Sequence, residues 1–225
     1  MRDRVETGRV YSFYREQLRG LSRATIYTRH LTTPDPPVQG QLYVRERQSF
    51  GKPKEEDYAV LFTDDKGFQI TFRGARPLPD DTLSRYREST RKSILYILRH
   101  RLKEPGLLIE SQGTSVFDNQ PVDVVDFTDS ANEVVTVSFH YSTKLPVRQV
   151  FYRRDPKTRQ RFEEVTAFSK YRDVGGGVQW PLTIQRERDG EKIFEIFSET
   201  VAINQDLDES VFSLPVNMKV LPPAR

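Results

Sequence analysis

The chain has 225 residues, no cysteine, 30% charged residues and a mean hydropathy of -0.65. That length allows one large β domain or two small ones, with a core that hides roughly 70% of the surface the unfolded chain exposes. The missing cysteine excludes disulfides, thiol catalysis and thiolate metal sites. The 35 basic and 32 acidic residues are interleaved, as in Arg45-Glu46-Arg47 and Arg186-Glu187-Arg188-Asp189. Such interleaving reads as a solvated face and argues against a nucleic-acid track. No apolar run approaches the roughly 20 residues of a membrane span. The first residues carry no apolar stretch of a signal peptide, and strand-like sequence begins at Val5. We therefore expect either a cytosolic protein or a mature domain from which a leader has been removed, and the early strand favours the second.

In chain order, residues 4–15 read as a first strand, Gly20 as its turn and 23–31 as a second strand. Pro34-Asp35-Pro36-Pro37 is a stiff loop that cannot donate ladder hydrogen bonds. Residues 41–50 form a third strand, with Leu42 and Val44 on one face and Tyr43, Arg45 and Arg47 on the other. Residues 51–57 read as a polar loop. Two further strands, 58–63 and 68–73, flank the hairpin turn Asp64-Asp65-Lys66-Gly67. After Pro77-Leu78-Pro79 the spacing predicts a helix over 80–103, capped by Asp80 or Asp81 and ended by Pro105-Gly106. Its first half is polar. Its second half, around Ile94-Leu95-Tyr96-Ile97-Leu98, is apolar on nearly every side and is expected to be buried on more than one side. The helix should start on the surface and finish inside the concavity of a sheet.

Strands resume at 107–117, 122–128 and 133–141. From Val147 to Pro215 the sequence reads as an antiparallel meander, broken at Asp155-Pro156-Lys157, Gly175-Gly176-Gly177 and Asp189-Gly190. Eleven or twelve strands and one helix make a single α+β domain over 1–225, built on a large antiparallel sheet that must curl strongly. Ile193-Phe194 and Ile196-Phe197 put apolar side chains on both faces of one strand. One face is for the helix to cover. The other is left to a loop or a chain terminus, or opens onto an apolar cavity.

Motifs for chemistry are missing. His30, His100 and His140 are far apart in sequence and show no metal-binding spacing, and no nucleophile elbow occurs. The Asp64–Gly67 turn lacks calcium-ligand spacing, and no helix with Lys and Ser or Thr follows the Gly175–Gly177 run. Asp206, Asp208 and Glu209 read as an N-cap cluster ahead of Phe212. Arg73 and Arg76 could hold an anion at a cavity rim, or pair with Asp80 and Asp81.

The meander carries a resemblance. Arg153-Arg154-Asp155-Pro156-Lys157 resembles a D-P-x-T-G turn. Tyr171-Arg172-Asp173-Val174-Gly175-Gly176 with Trp180-Pro181 resembles a Y-x-D-x-x-G-x-x-x-P crossing. Asn204, Leu207-Asp208 and Phe212-Ser213-Leu214-Pro215 resemble an N-x-x-L-D-x-x-x-F-x-x-P ending. In order and spacing these marks, over the last 70 residues or so, resemble the LolA-like, outer-membrane lipoprotein-sorting family. The resemblance implies a half-barrel, a curved antiparallel sheet with helices across its concave side, that carries lipid or acylated chains in the periplasm. The chain lacks the helix expected ahead of the first strand and any motif matching a carrier's receptor contacts.

These readings lead to a non-enzymatic envelope protein with no cofactor and no metal. It would bind a lipid or the acyl chain of a lipoprotein between helix and sheet, with peripheral membrane contact, an unspecified protein partner and no nucleic acid. The expected ligand-binding residues are Leu83, Tyr86, Ile94, Ile97 and Leu98 from the helix and Phe139, Phe168, Phe194 and Ile196 from the sheet, with Arg73 and Arg76 at the rim. The alternative is an interaction or scaffold module of the same fold whose interior is filled by its own side chains.

Overall fold

The computed structural model describes residues 1–52, 55–155 and 158–223. Thirteen antiparallel strands form one open sheet. The first six are β1 (Asp3–Tyr14), β2 (Gln17–His30), β3 (Val44–Lys52), β4 (Glu55–Phe62), β5 (Gly67–Thr71) and β6 (Gly74–Pro77). The remaining seven are β7 (Leu108–Phe117), β8 (Gln120–Thr128), β9 (Val134–His140), β10 (Pro146–Arg154), β11 (Arg161–Asp173), β12 (Gln179–Arg188) and β13 (Glu191–Ile203). The sheet order is β6-β5-β4-β3-β2-β1-β13-β12-β11-β10-β9-β8-β7. The first six strands zigzag outward to one edge. The chain then crosses to the opposite edge and returns as a meander until β13 pairs with β1.

The sequence reading differs from this in local ways that have local causes. The first hairpin turns at Arg15-Glu16, both at positive φ, and Gly20 lies within β2. Neither turn residue is a glycine, so the sequence carries no punctuation there. The expected loop at 51–57 is largely strand, with β3 reaching Lys52 and β4 starting at Glu55. Pro53 and Lys54 lie outside the described residues, as do Pro156 and Lys157 of an expected turn. Strand β6 went unseen because it is only four residues long. It is held by β5 on one side and the C-terminal segment on the other, where Ala75 N–H donates to the Lys219 carbonyl (2.9 Å) and Leu221 N–H to the Ala75 carbonyl (2.8 Å). Gly74 permits this approach, since a Cβ there would lie 2.3 Å from the Lys219 oxygen. Asp189-Gly190, both at positive φ, make the tight turn the sequence predicts.

The helix is not continuous over 80–103. Helix α1 (Asp80–Lys92) stops at Ser93, which is extended at φ -67°, ψ 128°. A short α2 (Ile94–Tyr96) follows and widens into a π-helical turn, Ile97–Arg101. Asp80 and Asp81 sit in the first turn of α1, where their charge suits the helix dipole, but neither side chain caps it; Pro79 occupies the cap position. At the break, Ile94 N–H leaves the helical ladder and donates to Gln149 Oε1 (2.8 Å). This drops Ile94 and Ile97, both fully buried, onto Phe127, Val135, Val137, Phe151 and Phe168. Past the break, buried Arg101 and Glu104 pair at 2.5 Å, Arg91 reaches Glu104 at 2.8 Å and Arg101 reaches Asp129 at 3.2 Å.

The convex face is covered on one side by the C-terminal segment. A 3-10 turn, Glu209–Phe212, is capped by Asp208, whose carboxylate accepts from Ser210 N–H. Glu209 bridges Arg29 and Arg45, and buried Phe212 lies under Arg29. Leu214 and Met218 pack on Ala59, Leu61 and Ile70. Phe197 is served differently: on the face opposite Phe194 it packs edge-on against Tyr11, with Lys170 Nζ 4.9 Å from its ring.

The packing predicts a sharp contrast within one helical turn. Ile97→Ala should lower unfolding stability by about 2–5 kcal/mol. Leu98→Ala, at a position 42% exposed, should change it by about 0.5 kcal/mol or less. Urea unfolding midpoints of the two variants check this.

Candidate functional site

Helix α1 spans the concave face without touching all of it, and beneath it lies a cavity of about 490 Å³. This is within the roughly 300–1,000 Å³ typical of small-molecule sites. The helix presents Thr82, Arg85, Tyr86, Ser89, Thr90 and Ser93 to the cavity. They recur every three or four residues and so share one face, and that face is rich in hydroxyls. The opposite wall is mainly apolar, from Ile26, Val44, Phe50, Phe168, Trp180, Ile184, Phe194 and Ile196. Tyr86 stacks on Phe62 with ring centroids 3.6 Å apart. Burial pushes its phenol well above the usual range, with the neighbouring Glu46 charge adding to it and Thr90 opposing it.

Charged side chains also line the apolar wall. Arg4 donates to Thr28 (3.0 Å), lies 3.3 Å from Glu6 and sits 3.9 Å over the Trp180 ring. Glu6 also accepts from Ser198. Glu164 is bridged by Arg188 (2.9 Å) and Arg153 (3.2 Å). Glu46 accepts from Gln48 (2.5 Å), and burial raises its pKa. Arg186 is different. By accessible area it is an exposed residue, open to the cavity that it lines. Desolvation by the surrounding protein lowers its pKa against the pull of Glu46 and Glu164. Among the described residues it makes no hydrogen bond or ion pair, only a loose approach to the Phe194 ring at 5.5 Å.

At one end of the cavity the fold joins two histidines that the sequence keeps apart. His30 Nδ1 lies 2.9 Å from His100 Nε2, and His100 Nδ1 lies 2.6 Å from Thr33 Oγ1. Both contacts are satisfied with two neutral rings. Burial, reinforced by Arg99, holds His100 down to about 4. Burial, with Arg99 and His100 adding to it, holds His30 down to about 2. No group of three or more metal-ligating side chains occurs among the described residues.

Solved structures of this shape are known. A domain from Vibrio parahaemolyticus described as an outer membrane lipoprotein-sorting protein domain matches at TM-score 0.60 and 13% identity, over 94% of this chain and 89% of its own. A DUF1329 family protein from Desulfovibrio piger matches at 0.62 and 14%, over 94% and 90%. A LolA superfamily protein from Nitrosomonas europaea matches at 0.56 and 11%, over 94% and 89%. The fold is LolA-like. No family model and no curated protein matches the chain by sequence.

Within this LolA-like trough the expected site residues fall into three groups. Tyr86, Phe168, Phe194 and Ile196 line the cavity together. Ile94 and Ile97 are in the solid core beside it, and Phe139 packs against that core. Leu83 lies near Gly67, and Leu98 faces outward. Arg73 stacks over the exposed ring of Phe72, Arg76 is exposed on β6, and neither lines the cavity. Asp81 pairs with Arg85 (3.3 Å), so Arg73 and Arg76 do not take it. The sequence reading missed the helix hydroxyls and the inward charges. Glu46 and Arg186 belong to the runs read as solvated faces. For Arg45 and Arg47 the outward reading holds, since Arg45 pairs with Asp64 and Glu209 and Arg47 with Glu56. The signal for Arg186 is its step of two from Ile184, on the face that Trp180 also shares.

The histidine pair sets an acid limit. The folded state keeps both rings neutral, whereas unfolded histidines bind protons below about pH 6.5. Stability is therefore intact above that pH and falls as pH drops from about 6.5 through about 4, where His100 protonates in the folded protein. Melting temperatures between pH 7 and pH 4 should show this fall, and His100→Phe should flatten it.

Proposed function

We propose that the protein is a non-enzymatic envelope protein, working as a single folded domain, that holds a lipid or the acyl chain of a lipoprotein in the cavity under α1. The observation that carries this reading is the cavity itself. Ile94 and Ile97 pack into one part of the trough, while about 490 Å³ beside them stays open between α1 and β1, β2, β3, β10, β11, β12 and β13. A scaffold with a self-filled interior would have no such space. An apolar chain gains about 0.8 kcal/mol per buried CH₂, so the wall of Ile26, Val44, Phe168, Ile184 and Ile196 supplies useful affinity without specific contacts. The description of the Vibrio parahaemolyticus neighbour as lipoprotein-sorting supports a location in the envelope.

The reading as a binder is favoured over catalysis by the state of the cavity carboxylates. Glu6 and Glu164 are held in ion pairs, so neither stands free for proton transfer. Glu46, whose pKa burial raises, accepts from Gln48.

Native mass spectrometry of gently purified protein, followed by organic extraction, tests this. A co-purifying lipid or acylated peptide, released on denaturation, is expected. The cavity-filling variant Ile184→Trp should remain folded and lose added acyl ligand by about tenfold or more. A clean apo mass that phospholipid and acylated peptide leave unchanged would replace the carrier with the interaction module.

A further inference from the structure

The cavity holds an arginine that no carboxylate reaches at ion-pair distance among the described residues, although Glu46 and Glu164 act on its charge from farther off. Each carboxylate around Arg186 is engaged: Glu164 with Arg153 and Arg188, Glu6 with Arg4 and Ser198, and Glu46 with Gln48. Arg85, on the helix above, is taken by Asp81. Arg186 is the arginine that lines the cavity without a hydrogen bond or ion pair among the described residues. An arginine open to a cavity and left without a close partner is available to bind an anion there. Its neighbours in register are Thr166 on β11 and Phe194 on β13. In register beside it are therefore one hydroxyl and one aromatic ring, with the Glu46 and Glu164 carboxylates beyond ion-pair reach. The Trp180 indole N–H on this wall is a further donor without an acceptor among the described residues.

Resting on the container reading above, we infer that the ligand is an anionic amphiphile whose oxyanion head, a carboxylate or a phosphate, is held by the Arg186 guanidinium while its apolar chain lies along Ile184, Phe194 and Ile196. The planar fork of arginine matches both kinds of head, with two parallel N–H donors to two oxygens. The hydroxyl-bearing face of α1, with Ser89 and Thr90, supplies a polar counter-wall that a purely apolar cargo would not require. A ligand of this class supplies in one molecule an apolar body for the wall and an oxyanion for Arg186.

The test uses three ligands that share one sixteen-carbon chain (about the length of a common acyl group): hexadecanoate, hexadecyl phosphate and hexadecanol. Each competes with Nile red, a neutral fluorescent probe, on the whole protein at pH 7.4. In the native protein at least one anion should bind more tightly than the alcohol by about 10- to 100-fold, and the stronger anion identifies the head. Arg186→Met should abolish that difference and leave hexadecanol affinity unchanged, while Arg186→Lys should keep part of it. The ligand-free melting temperature of Arg186→Met should lie close to that of the native protein, because the side chain replaced is exposed and has no close partner. Equal binding of alcohol and anions to the native protein, or a preference that survives Arg186→Met, overturns the inference and leaves the container standing. Failure of all three ligands to bind overturns the container reading and the inference with it. A lower melting temperature in Arg186→Met would make Arg186 a structural residue and overturn the inference alone.

Discussion

The architecture depends on a crossing. Strand β6 ends at one edge of the sheet and β7 begins at the other, so the chain between Pro77 and Leu108 must pass over the concave face. Its main helix has 13 residues, about 20 Å at 1.5 Å per residue. Thirteen strands laid flat would be about 58 Å wide at 4.8 Å per interval. One short helix cannot fill a trough of that size even when the sheet curls. Something must remain open, and the sequence decides where.

That decision is made at Ser93. A helix running on without a break would carry Ile94 and Ile97 along one line with Tyr86 and Thr90. The break, held by Gln149 at the freed Ile94 amide, sends the apolar turn into β8–β11 and leaves α1 standing over β1–β3 and β11–β13. The buried Arg101–Glu104 pair and its links to Arg91 and Asp129 fix the far end. Such a pair is a poor source of net stability, but its geometry tolerates few alternatives. The outer edges are managed separately. The C-terminal segment covers β6. Exposed β7 carries a bulge between Ser111 and Gly113 and a charge at Glu110, both of which discourage strand pairing with another chain.

Much of this was legible in the sequence. Periodicity two and the Asp-Gly turn expose the meander, and the change from polar to apolar around Ser93 foretells a helix that begins outside and ends in the core. The bond that breaks the helix joins residues 55 apart in sequence, and no local pattern encodes it. The cavity lining was harder to read for a similar reason. Hydrophobicity picks out Ile94 and Ile97, which are so well packed that they leave no space, whereas the lining of the open cavity from α1 includes, beside Tyr86, the residues Thr82, Arg85, Ser89 and Thr90 of an ordinary solvated face. His30 and His100, 70 apart in sequence, meet only because the crossing brings the helix end over β2.

Charge is where local reading fails most. In Arg45-Glu46-Arg47 the two arginines point out to carboxylates on the convex side, and the glutamate between them points in. Strand geometry forces that alternation once Val44 is committed to the interior. The same rule acts on β12: with Trp180 and Ile184 facing the cavity, Arg186 cannot turn to the convex side without a bulge ahead of it, and the bulge in this pairing falls just after it, between Arg186 and Glu187. Its inward position is thus set by the backbone, while its lack of a close partner is set by side chains that other residues have already claimed. A sheet shaped only to surround a hydrocarbon chain would lose nothing with an aliphatic residue there. An arginine open to the cavity, with the nearest carboxylates held elsewhere, is left available to an oxyanion head.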